Sequence, residues 1–333
     1  MTPLPVAILV VTHDSADDLA AAFAAVARLD PPPAELVVVD CASTDRSVAE
    51  ARAAAPPGLP VQIAPLGQNL GFAGGMNRAI ALATAPYLLT LNADALLPPG
   101  FLAPLVARFE ASDGARVAAV TPRLVRPAEP AGGPPRLDAC GMRLSWTWRH
   151  FDRGSGEADR GQFARPERVF GGTGAATLWR RAALDDVALA GQIFDERFHT
   201  FREDAELCFR LRERGWEIVY EPAAVATHRR SVLPERRSAL PAWVNRQSLQ
   251  NRYLLRIDHQ TPGNFLWTLP ATLTRDLAAL LWVLVRERSS LPAYAWLWKS
   301  RRALLAHRRL VQSRRTVPPQ AIGRWFTRSS EGL

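Results

Sequence analysis

Residues 35–40 of the chain, ELVVVD, contain four consecutive apolar residues, three of them valine, followed by an aspartate. A run this short, preceded by Pro31–Pro33 and followed by small polar residues, predicts a buried strand. A similar run lies upstream at Val6–Val11, and the helical spacing of Ser15–Arg28 separates the two runs. These segments together predict a strand–helix–strand unit whose second strand ends on the carboxylate of Asp40.

Strand and helix patterns continue to alternate as far as residue 125. They predict a helix at Arg46–Ala55, a strand at Val61–Ala64, a helix ending near Ala83, a strand at Tyr87–Leu91, a helix from Pro98 to Ala111 and a strand at Arg116–Thr121. Repeated units of this kind predict an α/β fold with a mostly parallel, Rossmann-like sheet flanked by helices. Ligands of such sheets bind beyond the carboxyl ends of the strands.

The second half of the chain is less regular. Residues 126–168 are rich in Pro, Gly and Arg and predict a long loop with short strands around Leu144–Trp148. The block Phe170–His228 predicts strands at Ala175–Trp179 and Trp216–Tyr220 and a helix that begins at Glu203. From Leu240 onward the pattern is helical, amphipathic and rich in tryptophan. We therefore expect one domain over residues 1–238, with halves 1–125 and 126–238, and a helical region over residues 239–333.

The net charge of +9 lies at one end of the chain. From Arg286 onward there are eleven Lys or Arg residues against two Glu, whereas the preceding residues are neutral. A nucleic-acid-binding protein more often carries basic charge on its folded domain, so we expect no nucleic-acid partner. Basic residues beside tryptophans favour docking on an anionic membrane surface; the alternative is a solvated charged helix. The longest wholly apolar run, Leu277–Val285, is too short to span a bilayer, so these helices are expected to lie on the membrane.

Cysteine usage and the N-terminal residues bear on the compartment. Cys41, Cys140 and Cys208 are far apart and form no CxxC pair, which argues against a disulfide framework and suits a reducing cytoplasm. The segment MTPLPVAILVV lacks a basic start and a cleavage site, so we expect no signal peptide.

Acidic residues at predicted strand ends are the first candidate site. Asp40 could accept the imide N–H of a pyrimidine base, or it could only cap the next helix. In LLTLNAD, residues 88–94, Asn92 and Asp94 lie on the same side of an extended chain, where Asp94 could hold a hard divalent cation. Polar residues at strand ends also form ordinary turns, so this alternative stays open.

Three further features carry candidate chemistry. Residues 69–77, NLGFAGGMN, form a Gly-rich stretch before a helix, where backbone amides could receive phosphate or only form a tight turn. Glu203 and Asp204 begin a predicted helix, whose dipole favours ionised carboxylates, so either could act as a base or simply cap the helix. His228 could be a metal ligand or a core histidine.

Taken in order, these motifs resemble the family 2 glycosyltransferases, which are inverting enzymes of the GT-A fold. The matching stretches are VAILVVTHDSADDL, ELVVVDCASTDRS, NLGFAGGMNRAI, YLLTLNADALL, GGTGAATLWRRAAL, IFDERFHTFREDAELCFRLRERGW and AVATH, which together cover about residues 5–230. The bacterial rhamnosyltransferase-like branch is the most similar, because it too has a helical C-terminal region, represented here by NRQSLQNRYLL and the basic HRRLVQSRR.

The resemblance implies a role for each matching position. It places Asp204 as catalytic base with Glu203 as a supporting acid. Asp94 and His228 would bind Mg²⁺ or Mn²⁺. The residues implied in donor binding are Thr12, Asp14, Asp40, Ser43, Asn69, Gly71, Asn77 and Asn92, and those on the acceptor side are Gly172, Thr173 and Trp179.

The chain departs from the family pattern at Asn92, which replaces the first Asp of the DxD motif and leaves one carboxylate there. It also departs at Gln192-Ile193, where Gly-Gly is usual, and at Arg229–Ser231, where a glycine-containing loop is expected. These changes affect the expected metal, acceptor and diphosphate contacts respectively.

The implied activity is transfer of a sugar, from dTDP-rhamnose through the branch resemblance, to a saccharide or polyprenyl-linked acceptor in cell-surface polysaccharide synthesis. The implied location is cytoplasmic, peripheral on the inner face of the membrane. A UDP-hexose or UDP-galactofuranose donor is the alternative within the class. Alternatives from other classes are a sugar nucleotidyltransferase and a non-catalytic nucleotide-sugar-binding protein. The sequence does not indicate an oligomeric state.

Overall fold

The central sheet is built from strands that are apolar on both faces. In the computed structural model, which describes residues 2–127, 133–230 and 241–327, the side chains of Val6–Val10 and Leu36–Val39 are fully buried. Burial on both faces is typical of parallel strands covered by helices on either side. The strands are β1 (Leu4–Thr12), β2 (Pro33–Asp40), β3 (Val61–Pro65), β4 (Tyr87–Leu91), β5 (Ala95–Leu96), β6 (Val117–Val125), β7 (Leu137–Ala139), β8 (Met142–Ser145), β9 (His150–Asp152), β10 (Glu167–Arg168), β11 (Ala176–Arg180), β12 (Glu217–His228) and β13 (Phe326–Thr327).

Helices cover both faces of this sheet and form the C-terminal region. They are α1 (Ala16–Ala27), α2 (Ser47–Ala53), α3 (Gly71–Leu82), α4 (Leu102–Glu110), α5 (Arg181–Val187), α6 (Glu203–Glu213), α7 (Ala242–His259), α8 (Pro262–Val285), α9 (Leu291–Ser313) and α10 (Gln320–Gly323). The predicted α/β class and the predicted helical C-terminal region are confirmed. The predicted division at residue 238 falls outside the described residues.

The strand order is β10-β12-β6-β11-β4-β1-β2-β3. Strands β1–β4 pair in parallel, as do β6 and β12, whereas β11 inserts antiparallel between β4 and β6. The sheet is therefore mostly parallel, as predicted. The place of β11 could not be read from local patterns, because its partners precede it by more than fifty residues.

Several elements differ from their predicted bounds, and β6, α4 and β12 differ most. Strand β6 continues to Val125 rather than ending at Thr121. Helix α4 begins at Leu102 rather than Pro98, since residues 98–101 form a turn closed by the Phe101 N–H on the Pro98 carbonyl at 3.1 Å. Strand β12 continues to His228 rather than ending at Tyr220. The strand-breaking pair Glu221-Pro222 is accommodated by a register shift, after which Val225–Thr227 pair again with β6.

The C-terminal helices pack against the sheet domain through buried charge as well as apolar contact. Arg197, just before α6, bridges Asp195 and Asp258 of α7 at 2.5 Å from each. The final described strand, β13, pairs in parallel with β8 and forms a small sheet with β9. Within the described residues, α8 is long and apolar enough, by length and composition, to cross a membrane. This differs from the sequence-based prediction, in which Arg275 and Asp276 interrupt any apolar window longer than Leu277–Val285.

Candidate active site

The carboxyl ends of the parallel strands meet at one edge of the sheet. In the register of β1 and β2, Thr12 lies opposite Asp40, and Asn92 directly follows β4. His228 ends β12 and pairs with Ala95 of β5, two strands brought together by antiparallel pairing. The predicted donor and metal residues from four separate strands are thus delivered to the same edge of the sheet.

The predicted base-binding residues form a hydrogen-bonded cluster around residues 40–45. Asp40 is buried, and its carboxylate accepts the Ser43 amide at 3.0 Å and the Ser43 hydroxyl. Asp14 accepts the Thr44 amide at 2.7 Å, and this bond lowers the pKa of its carboxyl. Thr12 is buried, and its hydroxyl has no hydrogen-bond partner among the described residues. A buried hydroxyl without a partner is costly, so Thr12 is suited to meet a polar ligand.

The Gly-rich stretch makes a close approach between backbones at the start of α3. Gly71 has φ +68°, and its amide donates to the Asn69 side chain at 2.8 Å. A Cβ at Gly71 would lie 2.4 Å from the carbonyl oxygen of His199, so only glycine fits. The Ala73 amide donates to that same carbonyl at 3.0 Å. The stretch therefore fixes the start of α3 against the segment that precedes α6.

Asn77 is engaged by protein groups on both ends of its amide. Its oxygen accepts from the Phe194 amide at 2.8 Å, and its nitrogen donates to the Phe194 carbonyl at 2.8 Å and to Glu196 at 3.0 Å. These contacts fix residues 193–196 against α3. The donor-binding role predicted for Asn77 stays a prediction.

The two predicted metal ligands lie next to each other. His228 Nε2 is 3.2 Å from Asp94 Oδ1 and 3.4 Å from the Asn92 amide nitrogen. The other ring nitrogen, Nδ1, is 2.7 Å from Asp138 Oδ2. Burial would lower the pKa of His228, but the hydrogen bonds to Asp138 and Asp94 outweigh it and raise the pKa to about 9. An imidazole oriented by a carboxylate on one nitrogen, with a second carboxylate at the other, is the usual surrounding of a metal-binding histidine.

A chain of alternating charges extends from His228 toward the predicted base. Arg230 lies 3.4 Å from Asp138 and also pairs with Asp152 of β9. Asp152 in turn raises the pKa of Asp204 through like-charge repulsion. The predicted metal ligands are thus coupled electrostatically to the neighbourhood of Asp204. The coupling runs through neighbouring charged groups in the order Asp94, His228, Asp138, Arg230 and Asp152.

Asp204 lies at the N-terminus of α6. Burial raises its pKa to about 6, opposed by the Gly174 amide, which donates to Asp204 Oδ2 at 3.0 Å. The next residue, Ala175, accepts the Asn92 amide at 2.9 Å through its carbonyl oxygen. Residues 174–175 therefore contact both the acidic end of β4 and the start of α6. For Glu203, burial and repulsion by Asp204 raise the pKa well above its ordinary value.

The segment before α6 is strained and is held by α7. His199, Phe201 and Arg202 have φ of 57°, 68° and 75°, conformations that non-glycine residues rarely adopt. The fully buried amide of Asn251 donates to the carbonyls of Phe198, Thr200 and Phe201 at 2.7–2.8 Å. This single side chain in the C-terminal region thus clamps the turn that aims Asp204.

The predicted acceptor-side residues lie between β10 and β11 and within β11. A Cβ at Gly172 would lie 2.6 Å from the Thr177 hydroxyl, and the Thr173 carbonyl accepts that hydroxyl at 2.8 Å. Trp179 is fully buried and its indole N–H donates to Thr90 at 3.2 Å, so it packs in the core beneath the sheet edge. Acceptor roles for these residues stay predictions.

A second acidic group lies between the domain and the C-terminal helices. Within the described residues, Asp195, Asp258 and His307 are close enough together to hold a metal ion. The guanidinium of Arg197 already lies 2.5 Å from Asp258 and 2.6 Å from His307 Nδ1. The position is therefore occupied by a protein cation, which ties α7 and α9 to the domain.

Sequence reasoning did not identify Asp138, Asp152 or Asn251. The first two lie in the aperiodic segment 126–168, where strands were predicted only around Leu144–Trp148, whereas both carboxylates lie on the short strands β7 and β9. Asn251 lies within the NRQSLQNRYLL stretch quoted for the resemblance, but its target is a turn fifty residues upstream. An asparagine in an otherwise buried position of an amphipathic helix was the available signal.

Comparisons with known proteins support the family suggested by the motifs. The model of the family described as "Glycosyl transferase family 2" matches residues 7–188. The succinoglycan biosynthesis protein ExoU of Rhizobium meliloti is 36% identical over 106 residues, which are 32% of this chain and 31% of that protein. The N-acetylglucosaminyl-diphospho-decaprenol L-rhamnosyltransferase of Mycobacterium tuberculosis is 28% identical over 251 residues, which are 67% of this chain and 76% of that protein. This chain thus spans less than a third of the length of the rhizobial relative.

The fold is also similar to that of solved glycosyltransferases. The mannosyltransferase of Pyrobaculum calidifontis, solved in complex with GDP-Man and Mn²⁺, superposes with a TM-score of 0.53 at 19% identity and covers 94% of this chain and 88% of its own. The likeness confirms the predicted GT-A fold.

Proposed function

Because this chain belongs to glycosyl transferase family 2, we propose that it is an inverting glycosyltransferase with Asp204 as its catalytic base. The proposal rests on two adjacent residues, Gly174 and Ala175, whose backbone groups contact the two sides of the site. The Gly174 amide holds Asp204, and the Ala175 carbonyl holds Asn92 at the acidic end of β4. The proposed base, Asp204, and Asn92 on the diphosphate side are therefore held by one short stretch of backbone.

The reaction is a single displacement. Asp204 accepts the proton of an acceptor hydroxyl, and that oxygen forms a bond to the anomeric carbon of the donor sugar. The bond from the anomeric carbon to the diphosphate oxygen breaks, and its electron pair leaves with the nucleoside diphosphate. With its pKa near 6, Asp204 is ionised at neutral pH yet basic enough to accept a proton. Burial and repulsion by Asp204 raise the pKa of the neighbouring Glu203 well above its ordinary value, which favours a neutral side chain beside the base.

The residues at the end of β4 fit a divalent cation, Mg²⁺ or Mn²⁺. Asp94 offers a carboxylate oxygen, and His228 offers Nε2 once a cation displaces the proton that its raised pKa places there, while Nδ1 is engaged by Asp138. A cation bound there would supply the positive charge that neutralises the leaving diphosphate. Asn92 offers an amide oxygen in place of a second carboxylate, which leaves the site with less negative charge than a DxD pair would give it.

The proposed donor is dTDP-rhamnose, with UDP-hexose or UDP-galactofuranose as the competing choice. The similarity to the mycobacterial rhamnosyltransferase over two thirds of this chain supports rhamnose. Asp40 and the Thr12 hydroxyl would face the nucleoside. The proposed donor-binding set is completed by Asp14, Ser43, Asn69, Gly71, Asn77 and Asn92.

The proposed acceptor is a saccharide or polyprenyl-linked saccharide of cell-surface polysaccharide synthesis, with Gly172 and Thr173 on the acceptor side. A lipid-linked acceptor requires the enzyme to work at a membrane surface. We place the protein on the cytoplasmic face of the membrane, held there by its C-terminal helical region.

A transfer assay with matched variants tests this proposal. The Asp204→Asn variant keeps the size of the side chain and is expected to bind donor normally but to lose at least about a hundredfold in turnover. A panel of dTDP- and UDP-sugars with and without a chelator identifies the donor and the cation requirement. Near-normal transfer by the Asp204→Asn variant would show that Asp204 is not the catalytic base.

A further inference from the structure

Helix α8 turns its polar side toward the protein and its apolar side toward solvent, which is the reverse of a helix that packs on a protein core. Its buried stripe is mainly polar and consists of Asn264, Thr268 and Thr272, with Val283 at the far end. Its exposed residues include most of its large apolar side chains, namely Phe265, Leu266, Leu273, Leu277, Leu280, Leu281, Trp282, Leu284 and Val285. Leu266 is 71% exposed and Leu281 is 63% exposed. A contiguous apolar face of this kind is unfavourable in water and indicates that something apolar covers it.

The polar stripe explains why this face is turned outward. Trp148 of the small sheet donates its indole N–H to Thr268 at 3.3 Å, and Thr272 returns its hydroxyl to the α8 backbone at 3.0 Å. Asp276, near the middle of the helix, is bound by Arg252 and Arg256 of α7 at 2.6 Å from each. The contacts of Thr268 with Trp148 and of Asp276 with α7 hold this side of α8 against the protein, so the leucines on the other side have no core to enter.

The exposed basic residues that follow α8 in the chain favour an anionic lipid surface as the covering partner. Arg286 and Arg288 follow α8 and are exposed, and Lys299, Arg301 and Arg302 are exposed on α9. Trp298, which is 70% exposed, lies under the guanidinium of Arg301 at 4.5 Å. Apolar side chains flanked by tryptophans and cations are the composition of helices that lie in a membrane interface.

The same contacts argue for an in-plane position rather than a membrane-crossing one. At 24 residues, α8 is about 36 Å long and could cross a bilayer by length. Crossing would break the Asp276 pairs with α7 and move Trp267 from its edge-to-face contact with Phe326 of β13. A flat helix keeps those contacts and buries the leucines.

We propose that α8 lies flat in the interface of an anionic membrane, with the face Leu266–Leu273–Leu277–Leu281 inserted among the acyl chains and the basic residues of α9 at the headgroups. The inference deepens the proposed function, since it names the surface that brings the active site to a lipid-linked acceptor. The binding itself needs neither donor nor acceptor.

Vesicle co-sedimentation of the full chain tests the surface. Wild-type protein should bind phosphatidylcholine vesicles that contain phosphatidylglycerol, more weakly without it and more weakly in high salt. Replacing Leu266, Leu277 and Leu281 together by Gln, which has a similar helix propensity, should weaken binding at least about a hundredfold. The control is Leu82→Gln, an exposed leucine on α3, which should bind as wild type.

Two further measurements keep the inference separable from folding and from the reaction. The triple variant should retain the wild-type melting temperature and wild-type transfer to a water-soluble acceptor. If the wild type and the variant both fail to transfer sugar, the proposed function is contradicted rather than the membrane-binding surface. In separate variants, Gly263→Cys and Arg288→Cys each add one exposed thiol near an end of α8. An impermeant maleimide added outside the vesicles should label both beyond the wild-type background, since the native cysteines are buried. Labelling at only one end would show a crossing helix. Unchanged vesicle binding by the triple variant, or a lipid-free dimer that covers this face without vesicle binding, would overturn the proposal.

Discussion

The acid limb of the pH–rate profile is the most direct consequence of the environment of Asp204. Burial raises the pKa of this carboxyl from 3.8 to about 6, so the base loses its charge as the pH falls through this value. At pH 5 only about a tenth of the molecules carry an ionised Asp204, and kcat/KM should be about tenfold below its neutral plateau. For an unshifted carboxyl the same activity would be nearly constant between pH 5 and 7.

Substitutions of two neighbours of Asp204 should differ in whether they shift the pH of this acid limb. Asp152→Asn removes a like charge and releases Arg230 toward the site, so the limb should move to lower pH. Glu203→Gln should leave the limb near pH 6, because burial and repulsion by Asp204 raise the pKa of Glu203 and so favour its neutral form, which Gln resembles in size and charge. The assay is initial-rate transfer at low donor concentration, with stability at each pH checked by circular dichroism.

The outcome that contradicts this account is a flat profile between pH 5 and 7 in the wild type. A limb near pH 6 that persists unchanged in Asp152→Asn would assign the titration to another group. Since Asp204 and Glu203 are neighbours that interact, the limb reports the pair, and the Gln variant identifies which member carries the catalytic ionisation.

Three other predictions concern the groups around the base. Asn251→Leu removes three hydrogen bonds from the strained turn before α6, and we expect kcat to fall about tenfold or more while donor KM stays near wild type, measured by steady-state kinetics. Gly71→Ala places a Cβ against the His199 carbonyl at positive φ, and we expect weaker donor binding and a loss of about 1–3 kcal/mol in unfolding free energy, measured by calorimetry and denaturant titration. Asp204→Asn should raise the unfolding free energy by about 1–3 kcal/mol at pH 8 and by little at pH 3, because a buried carboxyl with a raised pKa destabilises the fold only when ionised.

The sheet edge could be predicted because each part of it follows from a local pattern. Short apolar runs that end on Asp40 or shortly before Asp94 are recognisable as strands, and parallel strands bring their ends together. The start of α6 at Glu203 was likewise marked by its acidic first turn. The fold class and the family therefore followed from the order of motifs.

The residues that hold the candidate site residues in place could not be predicted from local patterns. Asp138 and Asp152 act through His228 and Arg230, which are more than seventy residues away in sequence. The same holds for α8, where composition indicates an apolar helix but only the packing of Thr268 and Asp276 shows which side faces the protein. Long-range pairing of buried polar groups leaves no periodic signal in the chain.

The reaction products test the proposed function most directly. NMR of a mixture containing the sugar nucleotide, the acceptor and Mg²⁺ or Mn²⁺ should show nucleoside diphosphate and a glycoside of inverted anomeric configuration, and both should be absent with Asp204→Asn. Release of pyrophosphate would indicate a nucleotidyltransferase, and retention of configuration would contradict a single displacement assisted by Asp204. Tight donor binding without any product would identify a binding protein rather than an enzyme.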